Sequence, residues 1–377
     1  MDGRDAVGTA VGTVWGRAEQ QDFRSRVRGT LLGAALGDAL GAPLAGLGAA
    51  AVREVCGDEG PAGPGEAYGR RGAVTAHTQL SLFTVDGLIR AQVRRDTGAW
   101  HPPTDVHLAY RRWAATQSDW GPDERRTGDG WLARQEWLYS RRGPERSCLS
   151  GFGDRGMGTL EAVRNPGERG PGALTRSAPF GLLVGWDPGL VLQLALECAA
   201  QSHGHPAARL AAGAYALLVH GAARGEPLEA ATGRVLALAA EQPGGEEVGE
   251  ALRAAVHGVR QGPPDPALVE ELAGGGGAEG VLAAALYAAL VCEDVSQGLR
   301  LAVRHGGPSP AVGAVCGGLL GALHGETALP PAWLAELEGR ATVLELADDF
   351  ALEMTHGAAL HGPEGASPGW LARYPRA

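Results

Sequence analysis

The chain has 377 residues, 44% of them hydrophobic, which is enough for one large domain or two ordinary ones with a sizeable core. Its formal net charge of -10 at pH 7 argues against nucleic acid as a general partner, because contacts to phosphates need a basic face. No lysine occurs, which excludes a lysine Schiff base, a lysine general base and a P-loop.

Residue usage favours an all-α fold. Alanine and leucine dominate the apolar runs, whereas strand-forming residues are scarce: Ile89 is the single isoleucine. We find no clean linker. We therefore predict one compact multi-helix domain over residues 23–357, with a flexible N-terminal tail at 1–22 and a C-terminal tail at 358–377.

The first strong element is RVRGTLLGAALGDALGAPLAG, which reads as a helix. Gly29, Gly33, Gly37 and Gly41 recur every four residues and so lie along one stripe. Each glycine costs a helix about 1 kcal/mol relative to alanine, so the stripe is expected to contact another backbone. Asp38 within this apolar run must be hydrogen-bonded or line a cavity.

Residues 46–73 are rich in glycine and proline and are predicted to form a long loop. The run VTAHTQLSLF follows, and it places a polar stretch around His77 at the start of a predicted helix over 78–93. HPPTDVHLAYRRWAATQ opens with prolines and a capping residue, which predicts another helix.

Residues 139–179 show little periodicity and contain seven arginines against four acids. Such a stretch is typical of a functional loop, and its glycines and arginines suit anion or phosphate contacts. A solvated surface loop explains the same composition. Further helices are predicted over 188–202, 206–222, 227–241 and 246–259.

The segment RHGGPSPAVGAVCGGLLGALHG repeats the design of the first helix. Gly313, Gly317 and Gly321 again recur every four residues. Two glycine-striped helices of this kind are expected to pack tightly as neighbours. Their polar ends, together with the TAHT sequence, would then face one cleft.

Cysteine spacing and hydropathy exclude several classes of protein. The five cysteines show no CxxC spacing and are odd in number, so we expect neither a disulfide framework nor a zinc site. We find no signal peptide and no apolar run of the roughly 18 residues that a membrane span needs. We expect a soluble cytoplasmic protein without membrane contact.

Four segments, in order, resemble the ADP-ribosylglycohydrolase family. They are RGTLLGAALGDALGAP, GAVTAHTQLSLFTVDGLIRA, the stretch from RRGPERSCLSG to RGPGALTRSAPFGLL, and RHGGPSPAVGAVCGGLLGALHG. The resemblance implies a compact α-helical protein with two magnesium ions in a cleft. It also implies hydrolysis of the glycosidic bond between ADP-ribose and a protein side chain or small molecule.

In the family, a Thr-Asp-Asp run and a closing Asp-x-Asp-Ser/Thr run hold the magnesium ions through hard oxygen ligands. The matching positions here are Thr75, Ala76 and His77 in the first run and Pro308, Pro310 and Ala311 in the second, with Ala45 at a nearby acidic position. Four usual carboxylates are therefore missing, and we predict that no magnesium or other cofactor binds. Imidazole suits zinc, copper or nickel better, and such a site would need His77 with His305 or His203.

Other cleft positions match the family more closely. The residues predicted to line a vestigial ligand-binding cleft are Asp38, Thr75, His77, Thr78, Gly170, Gly172, Arg176, His203 and Ser309. The loop departs from the family pattern at Glu168, Arg169 and Thr175. Glu168 would disfavour a diphosphate unless it pairs with Arg169.

Three interpretations follow. The first is a catalytically degenerate, non-catalytic protein that binds a ligand, serves as a scaffold or regulates, with ADP-ribose, a nucleotide-like molecule or a protein as partner. The second is a metal-independent hydrolase in which His77 works with Asp38 or Asp86 as acid and base. The third is a structural oligomer with a closed cleft. The sequence favours the first.

Overall fold

The computed structural model describes residues 15–95, 98, 100–154, 156–361 and 365–376. Residues 1–14 of the predicted N-terminal tail, and residues 362–364 and 377 of the predicted C-terminal tail, lie outside this range. Within it, α-helices account for most of the chain, so the all-α prediction is confirmed.

Eighteen α-helices are found in the described residues. They are α1 (Arg17–Gly41), α2 (Ala49–Cys56), α3 (Ala76–Arg95), α4 (Pro102–Thr116), α5 (Arg146–Gly153), α6 (Gly172–Thr175), α7 (Ala178–Gly181), α8 (Pro188–Ala200), α9 (Pro206–Ala223), α10 (Leu228–Ala239), α11 (Gly245–Val259), α12 (Pro266–Leu272), α13 (Ala278–Val291), α14 (Val295–Val303), α15 (Ser309–His324), α16 (Pro331–Glu336), α17 (Arg340–His361) and α18 (Pro368–Arg373).

The remaining elements are short. Turns of 3₁₀ helix lie at Ala42–Leu44, Thr127–Asp129, Leu132–Arg134, Glu136–Leu138, Gly274–Gly276 and Glu326–Ala328. Two strands, β1 (Glu66–Ala67) and β2 (Arg70–Arg71), form an antiparallel hairpin in which Glu66 faces Arg71. This hairpin is the one sheet that the described residues contain.

The two glycine-striped helices, α1 and α15, pack against each other at the centre of the fold, as predicted. We call their contact the glycine seam. Its facing pairs are Gly29 with Gly321, Gly33 with Gly317 and Gly37 with Gly313. A Cβ atom added at any of these positions would lie closer than 3.0 Å to the backbone of the opposite helix. The stripes are therefore required by the approach of two backbones.

Apolar helices surround this pair. α3, α14 and α17 pack against α1 or α15, and α9 and α13 complete the core beside α15. α13, with the sequence AEGVLAAALYAALV, is apolar on nearly every face, as expected of a helix buried on all sides. Together these helices form one continuous hydrophobic core.

Helices include part of each segment predicted as a tail. α1 begins at Arg17, and the ring of Trp15 packs 5.2 Å from that of Phe23, so apolar contacts extend the fold to residue 15. At the other end, residues 358–361 continue α17. Tyr374 is fully buried and donates a hydrogen bond to Asp349, which fixes the segment that contains α18.

Two segments predicted as loops contain helices. α2 lies within residues 46–73, α5 and α6 lie within residues 139–179, and α7 begins at the end of that segment. These helices have eight or fewer residues, too few for a hydrophobic period to stand out in the sequence. No single helix in the described part of the chain is both long and apolar enough to cross a membrane, although α1 with its 3₁₀ extension and α2 would pass that test together as a pair bent by 107°.

Candidate functional site

Asp38 joins α1 to the start of α3. Its side chain is fully buried and accepts hydrogen bonds from the backbone N–H groups of Thr75 (2.8 Å) and Thr78 (3.2 Å), and from both threonine hydroxyls. The carboxylate therefore caps the N-terminus of α3, where negative charge is favoured. Three of the predicted cleft residues thus meet, but Asp38 has both oxygens engaged and is not free to act as a base.

His77 lies half-buried in the first turn of α3. Its Nδ1 is 2.9 Å from the hydroxyl oxygen of Thr175, and its backbone N–H donates to the Thr75 hydroxyl. Its side chain makes no hydrogen bond to Asp38 or Asp86 in the structure. The sequence-predicted acid–base pairs of His77 with either aspartate are not formed.

Asp86 is far from His77 because nine residues of helix separate them, a rise of about 13 Å. Its Oδ2 is 3.0 Å from Nε of Arg90 and 2.7 Å from Nη2 of Arg112. This buried carboxylate serves to pair two arginines between α3 and α4.

The segment 305–311, which we call the closing segment, lies beside the C-terminal end of α1. A Cβ added at Gly41 would meet the backbone of Ser309 and Pro310 at about 2.5 Å. The Ser309 hydroxyl is fully buried and donates to the carbonyl oxygen of His305. Pro308 and Pro310 contribute only ring atoms and carbonyls here, so the segment is packed as a tight turn.

In the glycine loop at 168–172, backbone N–H groups donate hydrogen bonds to carboxylates of the protein itself. The N–H of Gly170 donates to Glu168 at 2.9 Å, and that of Gly172 donates to Glu145 at 3.2 Å. A phosphate would be expected to take such amides. Here two carboxylates occupy them, while Arg169 pairs with Glu279 on α13 and not with Glu168.

Arg176 is buried, and its guanidinium group donates to acceptors inside the protein. Its guanidinium donates to the carbonyl oxygens of Gly172 (2.8 Å) and Cys198 (3.2 Å) and to the hydroxyl of Ser202 (2.7 Å). It also lies 4.8 Å from the ring centroid of Tyr110. An arginine predicted to contact a ligand is therefore a bridge within the core.

His203 pairs with Glu145, a residue that sequence reasoning missed. Nε2 of His203 is 2.7 Å from Oε2 of Glu145, and Nδ1 is 2.7 Å from the Ser202 hydroxyl. Ser202 accepts from Arg176, so its own hydrogen is available to Nδ1, and Nε2 of His203 donates to the Glu145 carboxylate, which can only accept.

The charge of Glu145 is strongly favoured. Burial opposes it, but the hydrogen bond from His203 and the fields of His203, His77 and Arg176 outweigh burial and lower the pKa of Glu145 to about 2. Ser202 and His203 are fully buried, so this chain of hydrogen bonds has no access to a substrate at its serine end.

The cavity found beside His77 and Thr78 is small. A cavity of about 10 Å³ lies between α1, α3 and α15, and the side chains around it are Leu31, Ala34, Ala35, His77, Thr78, Ser81, Leu82, Thr175 and Ala314. The Ser81 hydroxyl finds no hydrogen-bond partner in the described residues. This volume suits about one water molecule and is far too small for a nucleotide.

A sequence model of the ADP-ribosylglycohydrolase family matches residues 19–359, nearly the whole described chain. The chain belongs to the ADP-ribosylglycohydrolase family. A solved structure titled "ADP-ribosylglycohydrolase-related protein complex" is similar, with a TM-score of 0.60 and 30% identity over 89% of this chain and 99% of that one. No curated protein is similar enough to count as a relative.

The predicted resemblance is thereby confirmed, and the family implies a magnesium pair whose fit to this chain can be examined. At the family's carboxylate positions stand Ala76, His77, Pro308 and Pro310, which offer no carboxylate oxygen. The nearest acid on α1, Asp38, is saturated by four donors. Magnesium demands several oxygen ligands in near-octahedral geometry, and these residues do not fit it.

A second donor cluster consists of Glu145, Cys148 and His203, whose ligand atoms lie within 4.8 Å of one another. Burial raises the pKa of the Cys148 thiol to about 12, which disfavours the thiolate a metal needs. Nη1 of Arg176 lies 3.7 Å from its sulfur and would repel a cation. Glu145 and His203 already bond each other, so the cluster is satisfied without a metal. His305 is not part of it.

Proposed function

We propose that this member of the ADP-ribosylglycohydrolase family is a non-catalytic binding or scaffold protein without the magnesium pair. The observation that carries the proposal is the 10 Å³ cavity where an ADP-ribose-sized cleft is expected. Typical small-molecule sites enclose about 300–1,000 Å³. A cavity of this size does not admit ADP-ribose.

Electrostatics supports the same conclusion. The carboxylates of Glu168 and Glu145 accept the hydrogen bonds of the amides in the glycine loop. The pKa of Glu145 is lowered to about 2, so this carboxylate is charged at neutral pH. A diphosphate would have to displace two carboxylates and then lie beside them, and like charges at such separations repel. We therefore favour a protein partner over ADP-ribose or another nucleotide-like ligand. The structural relative's title names a complex, which agrees with this choice.

The metal-independent hydrolase is less well supported. Its proposed acid–base pairs need Asp38 or Asp86 beside His77, but Asp38 caps α3 and Asp86 pairs with two arginines. The structural oligomer shares the closed cleft with our proposal and differs in its partner, which would be a second copy of the chain. Its test is the mass of the purified protein in solution.

The proposal is tested by calorimetric titration of the purified protein with ADP-ribose, with and without magnesium, together with an assay for ADP-ribose release from an ADP-ribosylated arginine peptide. We expect no heat and no release under either condition. Micromolar binding or magnesium-dependent release would overturn the proposal.

The matched control restores the missing acids in the variant A76D/H77D/P308D/P310D. Heat on adding magnesium to this variant alone would show that the missing carboxylates explain the lack of magnesium binding. If the wild type gives the same heat, the chain binds magnesium through residues other than these, and the metal-free part of the proposal fails.

A further inference from the structure

The hairpin β1–β2 and the segment 141–146 meet beside the start of α3. The N–H of Ala76 donates to the carbonyl oxygen of Arg142 at 2.9 Å, which joins this segment to the helix. The guanidinium of Arg142 lies 5.1 Å from the ring centroid of Tyr68, at the turn of the hairpin. The two segments together cover the outer edge of the closed cleft.

A buried acid holds this edge in place. Glu338 is only 2% exposed and accepts hydrogen bonds from Arg142 (3.2 and 3.0 Å), from Arg70 (3.1 Å) and from the N–H of Val74 (3.1 Å). Arg142 is therefore fixed from below and supports the Tyr68 ring from the side. Side chains fixed in this way lose little entropy when they bind a partner.

Tyr68 is unusual in two respects. Its φ is +51°, a left-handed conformation that bulky residues rarely adopt, and its side chain is nevertheless 49% exposed. Residues persist in such a conformation when their surroundings impose it, and they concentrate at functional sites. An exposed tyrosine held rigidly over an arginine is also the type of residue that dominates binding energy at interfaces.

The charges of this edge are unevenly paired. Arg70 and Arg71 form ion pairs with Glu338 and Glu336. Arg141 and Arg146 are exposed and form no ion pair with any described residue. Two unpaired positive charges therefore lie within four residues of Arg142, which contacts Tyr68, in a protein whose formal net charge is -10.

We propose that Tyr68, Arg141 and Arg146, which we call the rim surface, bind an acidic segment of a partner protein, while the buried Arg142 supports the Tyr68 ring. Exposed guanidinium groups recognise carboxylates through paired hydrogen bonds, and the tyrosine supplies apolar contact area between them. Nucleic acid fits less well, because the basic area is too small to neutralise the many phosphates of a duplex.

This inference goes beyond the proposed function and does not need it. The rim surface lies outside the cleft, so an active cleft would leave its charges and its exposed tyrosine unchanged. The ADP-ribose titration described above reports on the cleft, whereas the experiment below reports on the rim surface, and either can fail without the other.

The test is fluorescence anisotropy with a labelled poly-L-glutamate peptide at low ionic strength, on the full chain. We expect the wild type to bind and the variant R141E/R146E to bind about tenfold or more weakly, with the affinity of the wild type falling as salt is added. The matched control is R253E/R260E, which reverses two exposed arginines without ion pairs at α11 and gives the same net charge. It should bind within about twofold of the wild type.

Tyr68→Ala separates a shaped surface from simple charge attraction, because it removes no charge and should still weaken binding. Three results would overturn the proposal: no binding by the wild type, equal weakening by both double variants, or duplex DNA of equal length binding more tightly than the peptide with the same loss in R141E/R146E. The last result would identify a nucleic-acid surface. All variants are exposed substitutions and are checked for an unchanged thermal unfolding midpoint.

Discussion

The glycine seam and the cleft at its end share α1 and α15, yet different interactions stabilise them. In the seam, backbone touches backbone, and a side chain larger than hydrogen at Gly33 or Gly317 would collide with the facing helix. In the cleft, polar side chains satisfy one another: Asp38 caps α3, and Glu145 bonds His203. Even an alanine at a seam position would force the two helices apart, whereas the cleft can lose its ligands when most of its remaining polar groups find partners.

We expect the largest effect from removing the carboxylate of Asp38, which accepts four hydrogen bonds in the cleft. Asp38→Ala leaves two backbone N–H groups and two hydroxyls without their shared acceptor, and we expect the free energy of unfolding to fall by about 4 kcal/mol. Asp38→Asn keeps one acceptor oxygen and should lose about half as much. Urea denaturation measures both. Equal stability of the wild type and Asp38→Ala would contradict a structural role for this residue.

The second prediction concerns His305 in the closing segment and the dependence of the free energy of unfolding on pH. Burial, only partly offset by the charge of Glu270, lowers the pKa of His305 to about 4 from its ordinary 6.5. As pH falls below 6.5 the unfolded chain takes up the proton first, so stability is full above that value and is lost towards pH 4. At 1.36 kcal/mol per unit this amounts to about 3 kcal/mol.

The matched variant is His305→Gln, which stays neutral throughout. Its free energy of unfolding should fall less steeply than that of the wild type between pH 6.5 and 4. Parallel curves for the two proteins would show that His305 is not responsible for the acid sensitivity.

Gly317→Ala tests the seam itself. Its Cβ would meet the backbone of Gly33 closer than 3.0 Å, and we expect a loss of about 2 kcal/mol as the helices separate. Gly233→Ala in α10 is the control, because a Cβ there meets nothing within 4 Å. That variant should gain about 1 kcal/mol from helix propensity. Similar changes at the two glycines would refute the seam.

The smallest effect concerns two neighbouring hydroxyls beside the small cavity. The Ser81 hydroxyl has no partner in the described residues, so Ser81→Ala should change stability by less than about 0.5 kcal/mol. Thr78→Val removes a hydrogen bond to the Asp38 carboxylate and should cost about 1.5 kcal/mol. If Ser81→Ala proves the costlier of the two, the cavity contains a bound group that this hydroxyl holds.

The sequence predicted the parts of the fold that repeat. Glycines at every fourth position identified both helices of the seam and their pairing, and the helix predicted over 206–222 differs from α9 by one residue. Asp38 was expected to be hydrogen-bonded or to line a cavity, because an aspartate in an apolar run must find donors. Thr75 and Thr78 were singled out by the resemblance to the family.

The rest depends on contacts between residues distant in the chain. Glu145 and His203 are 58 positions apart, and nothing near either residue identifies the other as its partner. Arg176 looked like a ligand contact, since the sequence cannot reveal that the carbonyls of Gly172 and Cys198 already surround it. The Arg-rich composition of residues 139–179 gave a signal for this region, but it did not distinguish a phosphate site from an internal network.

The glycine seam has a mechanical consequence. A contact made of main-chain atoms has no rotamers to change, so α1 and α15 cannot slide or loosen by side-chain rearrangement and must move as one stiff rod. Any adjustment to a partner therefore falls on what is attached around that rod, namely the hairpin at 66–71 and the segment at 139–172. The rim surface lies on these attached segments, so it can adjust to a partner while the two helices keep their relative position.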